Sequence, residues 1–308
     1  MNIAVLTFST PQKSSSITDM DLTLLREAAE KRGHNFNIIY ASDCQIKLSR
    51  TPGLIVKNLK LKDVDVLITR ANFLTANVDF NGSLIRQFEL VGVLIVNKSI
   101  GVMRAKNKLK TLQILSQKNI PIPKTYMVSQ SQNIEDIIAD IGPFPVIIKS
   151  MIGSHGSGVS IVESKRGLRS IIDMIVRSNE AEPIMVQEYV KESKGKDVRV
   201  FIVGKRIVGA MERIASKRGE FRSNFHLGGR IRVATMTRKE KDVAFAAIEA
   251  CGLDIAGVDL IRTKSGPKVL EVNSNPGLEG ITKATGRDIA GEIIQYAVRK
   301  AARRKNKI

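Results

Sequence analysis

The 308-residue sequence contains no tryptophan, two cysteines and three histidines, and only 5% of its residues are aromatic. Each scarcity weighs against a class of function. With so few rings, a single-strand nucleic-acid binder built on stacking platforms is disfavoured. Cys44 and Cys251 stand far apart and His34, His155 and His226 are scattered, so neither zinc-ligand spacing nor a histidine-based triad is present. The cysteines read as buried reduced thiols, and any metal chemistry must use oxygen ligands. No apolar run reaches bilayer-spanning length. The start of the chain is a strand-length apolar run followed by polar residues, without the basic region and long apolar core of a signal peptide. The expectation is a cytoplasmic protein with no membrane partner. No G-x-G-x-x-G follows the first strand, and no glycine-rich loop ends in Gly-Lys-Ser/Thr. A dinucleotide site in the first lobe and a P-loop are both disfavoured.

Hydrophobic residues at 43% and charged residues at 26% are ordinary for a folded globular chain. The length predicts two or three lobes. A net charge of +19 implies attraction to something acidic, whether nucleic acid, a nucleotide, an acidic peptide or a small molecule. The basic run over 299–308 fits either a solvated face or non-specific polyanion contact.

Short apolar strands over 3–6, 36–40, 64–69 and 93–96 alternate with amphipathic helices over 20–32 and 83–90, the pattern of a parallel sheet with crossover helices. A helical stretch over 101–118 follows, ending before prolines at 121 and 123. A second lobe then carries a helix over 133–141, strands over 145–149 and 158–162 around a glycine-rich loop, and a helix over 167–177. Beyond it lie a strand over 184–188, a hairpin of 198–203 with 206–212, a helix over 238–251, strands over 256–262 and 268–273, and a terminal helix from about 287. This part reads as α+β, not as a second parallel sheet.

The sharpest chemical signal is Asp259 with Glu271 and Asn273. The two runs that carry them flank a turn-like Thr-Lys-Ser-Gly-Pro-Lys segment and should form an antiparallel hairpin. A turn centred near Ser265 and Gly266 places Asp259 opposite Glu271, and alternation puts Asn273 on the same face. Like charges facing each other across a sheet call for a cation, and three oxygen donors suit Mg²⁺; the alternative is carboxylates splayed to solvent or paired with lysines. Lys149 ends a Val-Ile-Ile-Lys strand before the loop containing Gly153 and Gly156, which resembles a β flap able to cradle phosphates; such loops are also ordinary turns. Glu188 and Tyr189 end a buried strand where an adenine or ribose could bond, or where a strand terminus is simply solvated. Asp197, Arg199, Arg213, Arg222 and Asn224 cluster on or after the hairpin, and arginine forks suit carboxylate and phosphate.

Together these positions resemble the ATP-grasp superfamily, and most closely the RimK family of α-L-glutamate ligases. The resemblance spans nearly the whole chain, through Leu-Ile-Arg-Gln-Phe-Glu, Ala-Lys-Asn-Lys at Lys108, Val-Ile-Ile-Lys at Lys149, Val-Gln-Glu-Tyr-Val-Lys, Asp-Val-Arg from Asp197, Glu-Arg at Arg213, Phe-Arg-Ser-Asn, Ala-Gly-Val-Asp-Leu at Asp259, and Glu-Val-Asn-Ser-Asn-Pro-Gly-Leu-Glu-Gly-Ile. It implies a three-lobed ATP-grasp fold, α/β and α+β, with an N-terminal parallel-sheet α/β lobe over 1–97, a flap-bearing subdomain over 98–180 and a C-terminal metal-bearing subdomain over 181–308. By position it implies ATP contacts from Lys108, Lys149, Gly153, Gly156, Glu188, Tyr189, Asp197, Arg222, Ser223 and Asn224. It also implies Mg²⁺ or Mn²⁺, two ions being possible, on Asp259, Glu271 and Asn273. Asn107 stands where the family often has Asp, and the flap reads Ser-His-Gly-Ser-Gly where relatives vary.

The implied reaction phosphorylates a C-terminal carboxylate with ATP, and the acyl phosphate is attacked by the amine of L-glutamate, with Arg213 and Arg222 stabilising the developing charge. The family's acceptor is the acidic C-terminal tail of ribosomal small-subunit protein six, and its members suggest a homo-oligomer, a tetramer among the options. Ribosome docking through the basic surface fits the charge. Two other readings stay open: a grasp ligase acting on a small-molecule or carrier-protein carboxylate, and a non-catalytic ribosome- or RNA-binding protein.

Overall fold

The computed structural model describes residues 1–9, 16–73, 77–128, 134–150, 159–177, 183–193, 195–215 and 229–306. Its first lobe runs β1 (Asn2–Thr7), α1 (Ser16–Glu30), β2 (Asn35–Tyr40), β3 (Cys44–Lys47), β4 (Gly53–Val56), β5 (Val66–Arg70), α2 (Val78–Leu90) and β6 (Ile95–Val96). The parallel sheet has the order β2-β1-β5-β6. Because β1 is covered on both faces, it is apolar over Ile3–Leu6 instead of alternating. Ile3 and Val5 pack with α1 residues such as Leu25, while Ala4 and Leu6 pack with Leu84, Ile85 and Phe88 of α2. The antiparallel hairpin of β3 and β4 stands apart from this sheet; four-residue strands leave too little periodicity to be read from sequence.

The stretch over 101–118, expected as one helix, is two: α3 (Ser99–Lys106) and α4 (Lys108–Gln117). Asn107 between them is extended, with φ −104° and ψ 107°, and its side chain accepts from Lys110 N at 2.9 Å. An asparagine inside a helical pattern has here become an N-cap, satisfying a donor that the new helix would otherwise leave open.

The central sheet contains β7 (Thr125–Val128), β8 (Val146–Ser150), β9 (Val159–Val162) and β10 (Ile184–Glu188), in the antiparallel order β7-β10-β8-β9, with helices α5 (Ile134–Ile141) and α6 (Lys165–Arg177). Since β10 pairs with both β7 and β8, this sheet continues past residue 180. The final sheet is also antiparallel, ordered β13-β12-β11-β14-β15, from β11 (Lys196–Val203), β12 (Arg206–Ile214), β13 (Arg230–Val233), β14 (Ile255–Thr263) and β15 (Gly266–Asn273). Helix α7 (Arg238–Cys251) covers it, begun by a capping box between Thr237 and Glu240 and ended by Gly252 at φ 73°. After α8 (Glu279–Thr285), α9 (Ile289–Lys305) returns to the start of the chain, where Ile289, Ile293, Ile294 and Ala297 join the core formed by Ile3, Val5 and α1. Among the described residues, no helix is long and apolar enough to cross a membrane.

Candidate active site

The hairpin of β14 and β15 pairs Asp259 with Glu271 and Gly257 with Asn273, as the sequence predicts, but it reaches that register by a different route. The turn closes one residue early, with Thr263 opposite Gly266, and Leu260 pairs with Val269. That register would set Asp259 against Leu270 and send Glu271 to the other face. A bulge at Leu270 absorbs the extra residue, so Glu271 falls opposite Asp259.

Across the sheet the register continues the row of charges. Arg199 on β11 lies opposite Asp259, and Asp197, two residues earlier on the same face, lies opposite Arg213 of β12. Asp259 is 4% exposed. Its Oδ1 accepts from Arg199 Nε at 2.7 Å, and its Oδ2 accepts from Arg199 Nη2 and Arg213 Nη2, each at 2.7 Å. Arg213 Nε donates to Asp197 Oδ1 at 2.6 Å. Burial alone would raise the Asp259 carboxyl, but the two guanidiniums outweigh it and hold the group well below the usual carboxylate range. For Arg213, burial is likewise outweighed, by Asp259 and Asp197, which keep it charged.

These contacts correct the argument that Asp259 and Glu271 need a metal between them: arginines already neutralise Asp259, and Glu271 is exposed. Arg213, expected to stabilise developing charge, has its Nε and Nη2 facing carboxylates. A hard cation still fits. Each carboxylate oxygen has two lone pairs, and Asp259 Oδ1 accepts only from Arg199 among the described residues. Asn273 Oδ1 accepts from Asn275 N at 2.8 Å, which leaves it a lone pair as well. With Glu271 these form the oxygen-only set that Mg²⁺ shares with waters and phosphates. No cluster of three His, Cys, Asp or Glu side chains occurs among the described residues, so no cation cage stands ready on carboxylates alone.

Facing the carboxylates are lysines from other elements. Lys149, near the end of β8, donates to Gln187 Oε1 at 2.8 Å, and Gln187 is fixed in turn by its own donation to Thr125 Oγ1 at 2.8 Å. Burial pushes the Lys149 ammonium down to about 8; Glu271 opposes that, Lys108 adds to it, and Asp259 opposes it. Lys108 opens α4 directly after the Asn107 cap. Asn107 therefore fills the capping role open to an Asp, and does so without a charge.

Glu188 ends β10 ion-paired with Lys268 of β15. With Tyr189, Ile141, Pro143, Thr263 and Lys268 it lines a cavity of about 300 Å³. Gly153, Gly156, Arg222, Ser223 and Asn224 lie outside the described residues.

Sequence reasoning missed the side chains by which the first lobe grips the segment after Asn273. Arg70 and Asp21, 4% and 5% exposed, form a buried ion pair. Arg70 Nη2 also donates to Pro276 O at 3.0 Å, and Leu278 N donates to Asp21 Oδ1 at 2.8 Å. Asn97, 1% exposed, donates to Ile255 O at 2.8 Å and Ser274 O at 3.2 Å, and accepts from Asp254 N and Ile255 N at 2.8 Å each. Partners separated by over 150 residues left no local signal.

Known proteins resemble this chain over nearly its whole length. Residues 105–297 match the RimK-like ATP-grasp domain and residues 1–102 the RimK PreATP-grasp domain. A probable alpha-L-glutamate ligase of Aliivibrio fischeri is 42% identical over 287 residues, covering 92% of this chain and 93% of that one. Among solved structures, a RimK domain ATP-grasp protein from Sphaerobacter thermophilus superposes with a TM-score of 0.70 at 21% identity, covering 97% of this chain and all of that one (100%). The ATP-grasp ligase PsnB, complexed with a phosphomimetic variant of its minimal precursor, Mg and ADP, superposes with a TM-score of 0.71 at 18% identity, covering 97% of this chain and 98% of that one.

Proposed function

The chain belongs to the RimK family of ATP-grasp ligases and is an ATP-dependent ligase, and from that premise we propose that it adds L-glutamate to the C-terminal carboxylate of ribosomal small-subunit protein six, in the cytoplasm. In this reading a carboxylate oxygen attacks the γ-phosphorus of ATP and ADP leaves. The glutamate amine then attacks the acyl carbon and phosphate leaves. No protein nucleophile is needed, in keeping with phosphoryl transfer that works by positioning and charge.

The observation that carries the reading is the interleaving of opposite charges on one surface. Exposed Glu271 shares a face with the arginine-held Asp259, and Lys149 faces them from the central sheet. Such a surface accommodates a polyanion together with a cation. Lys149, held by Gln187, and Lys108, at a helix start whose dipole adds positive potential, would hold the phosphates. The base would enter the cavity beside Glu188 and Tyr189. Thr263 on the cavity wall is four residues along β14 from Asp259, roughly 13 Å, a span that suits an extended nucleotide.

Mg²⁺ or Mn²⁺, as one ion or two, would be held by Glu271, Asn273 Oδ1 and Asp259 Oδ1 and would offset phosphate charge there. Arg199, Arg213 and Asp197 would keep Asp259 in place, with Asp197 also bordering the nucleotide. By resemblance, Arg222, Ser223 and Asn224 would contact ATP, and Arg222 would stabilise the acyl phosphate. A net charge of +19 supports an acidic acceptor.

The test incubates the protein with ATP, Mg²⁺ and glutamate, with and without small-subunit ribosomal proteins, and follows ADP release and intact masses. Serial glutamate-sized increases on one ribosomal protein, lost with Glu271→Ala, are expected. ADP release with no protein modified would replace the acceptor with a small molecule. No turnover with any carboxylate would leave a binding protein.

A further inference from the structure

At the carboxyl edge of the first sheet, β1 lies between β2 and β5. The chain leaves β1 toward β2 and later returns to β5 on the opposite flank, so the connections diverge above this pair. In open α/β sheets such a divergence opens the crevice in which ligands bind. Polar side chains gather there. Thr7 Oγ1 and Ser9 Oγ are 2.9 Å apart, and Asn72 Oδ1 accepts from Phe8 N at 2.8 Å and from Thr7 Oγ1 at 3.3 Å. Committing its oxygen to these donors leaves Asn72 its amide nitrogen for an acceptor.

Lys106, the last residue of α3, brings a cation to this edge. Its Nζ donates to Phe73 O at 3.0 Å and stands 5.0 Å from the Phe73 ring centroid. An ammonium has three N–H donors, and among the described residues one of them is used. No carboxylate among the described residues comes within ion-pair distance, although Glu271 acts on the charge from further off and Arg70 repels it. A half-buried ammonium with donors to spare is costly to enclose and is relieved by an arriving anion. Lys106 thus stands between the crevice of the first lobe and the charged row of the final sheet.

We propose that Lys106 and Asn72, at the divergence of β1 and β5, bind a carboxylate of the non-nucleotide substrate. The inference rests on the ligase reading and deepens it. The same chemistry could come from free glutamate or from the C-terminal residue of the acceptor, and the two are told apart by varying each in turn.

The test measures KM for glutamate, for an acceptor peptide ending in glutamate, and for ATP, in the native protein, Lys106→Met and Lys106→Arg. Loss of a charge-assisted hydrogen bond raises KM for one carboxylate substrate about ten- to a hundredfold in Lys106→Met. KM for ATP stays within about twofold, and Lys106→Arg recovers most of the loss. Unchanged KM for both carboxylate substrates overturns the inference, as does a rise confined to ATP, which would make Lys106 a phosphate ligand. Calorimetric binding of L-glutamate and of the peptide to native and Lys106→Met protein gives a readout independent of turnover. Equal affinities overturn the inference, whereas a native protein that binds glutamate through Lys106 but turns over no ATP sinks only the ligase reading.

Discussion

The buried pair of Arg70 and Asp21 offers the most demanding test of how the first lobe holds the catalytic segment. Asp21→Asn keeps the shape and an acceptor for Leu278 N but removes the charge, leaving the Arg70 guanidinium enclosed with, among the described residues, Pro276 O at 3.0 Å as its remaining acceptor. Stranding a buried charge costs about 3–5 kcal/mol. The double variant Asp21→Leu with Arg70→Met removes both charges and fills similar volume, so the stranded-charge penalty disappears. What is lost instead is the bond to Pro276 O, about 1 kcal/mol, and the acceptor for Leu278 N, about 1–3 kcal/mol. The double variant should therefore be no less stable than Asp21→Asn, and the coupling between positions, measured with Asp21→Leu and Arg70→Met as the singles, should be at least about 2 kcal/mol. Urea unfolding of the four proteins measures it. Strictly additive losses would refute the buried-charge argument. ADP release should fall in the single variants as well, because Pro276 and Leu278 continue the chain from Asn273.

Glu271→Ala should abolish ADP release while changing stability by no more than about 0.5 kcal/mol, since the side chain is exposed. Asp259→Ala, by contrast, strands Arg199 and leaves Arg213 with Asp197 alone among the described residues, and should cost about 3–5 kcal/mol in chemical denaturation. Lys149 is depressed to about 8 in the free protein. If its charged form is the one that receives ATP, kcat/KM for ATP should decline as pH rises through about 8, and Lys149→Arg should remove that limb. The stability sign is opposite: between about 8 and the unfolded value near 10.4 the unfolded chain binds the extra proton, so this group's contribution to stability rises with pH. Gly101→Ala would place a Cβ 2.5 Å from Gly252 O, where α3 meets the end of α7. Backbone cannot swing aside as a side chain can, so a loss of about 1–3 kcal/mol is expected in thermal unfolding.

By itself the sequence determined the kinds and order of the longer elements, because buried strands and amphipathic helices impose different hydrophobic periods, but not the short β3, β4, β13 and α8. It also brought Asp259, Glu271 and Asn273 to one strand pair, since side-chain alternation along a hairpin is a local rule. Local rules did not reach further. The break at Asn107 depended on whether an asparagine caps or continues a helix, and the bulge at Leu270 depended on how a strand accommodates one extra residue. Only the tertiary structure decided that Asp259 is held by Arg199 and Arg213, that Lys106 stands beside Phe73, and that Arg70, Asp21 and Asn97 grip a segment over 150 residues away. Those contacts join residues distant in the chain through burial and charge, and nothing in the spacing of a linear sequence encodes which distant cation will meet a given buried carboxylate.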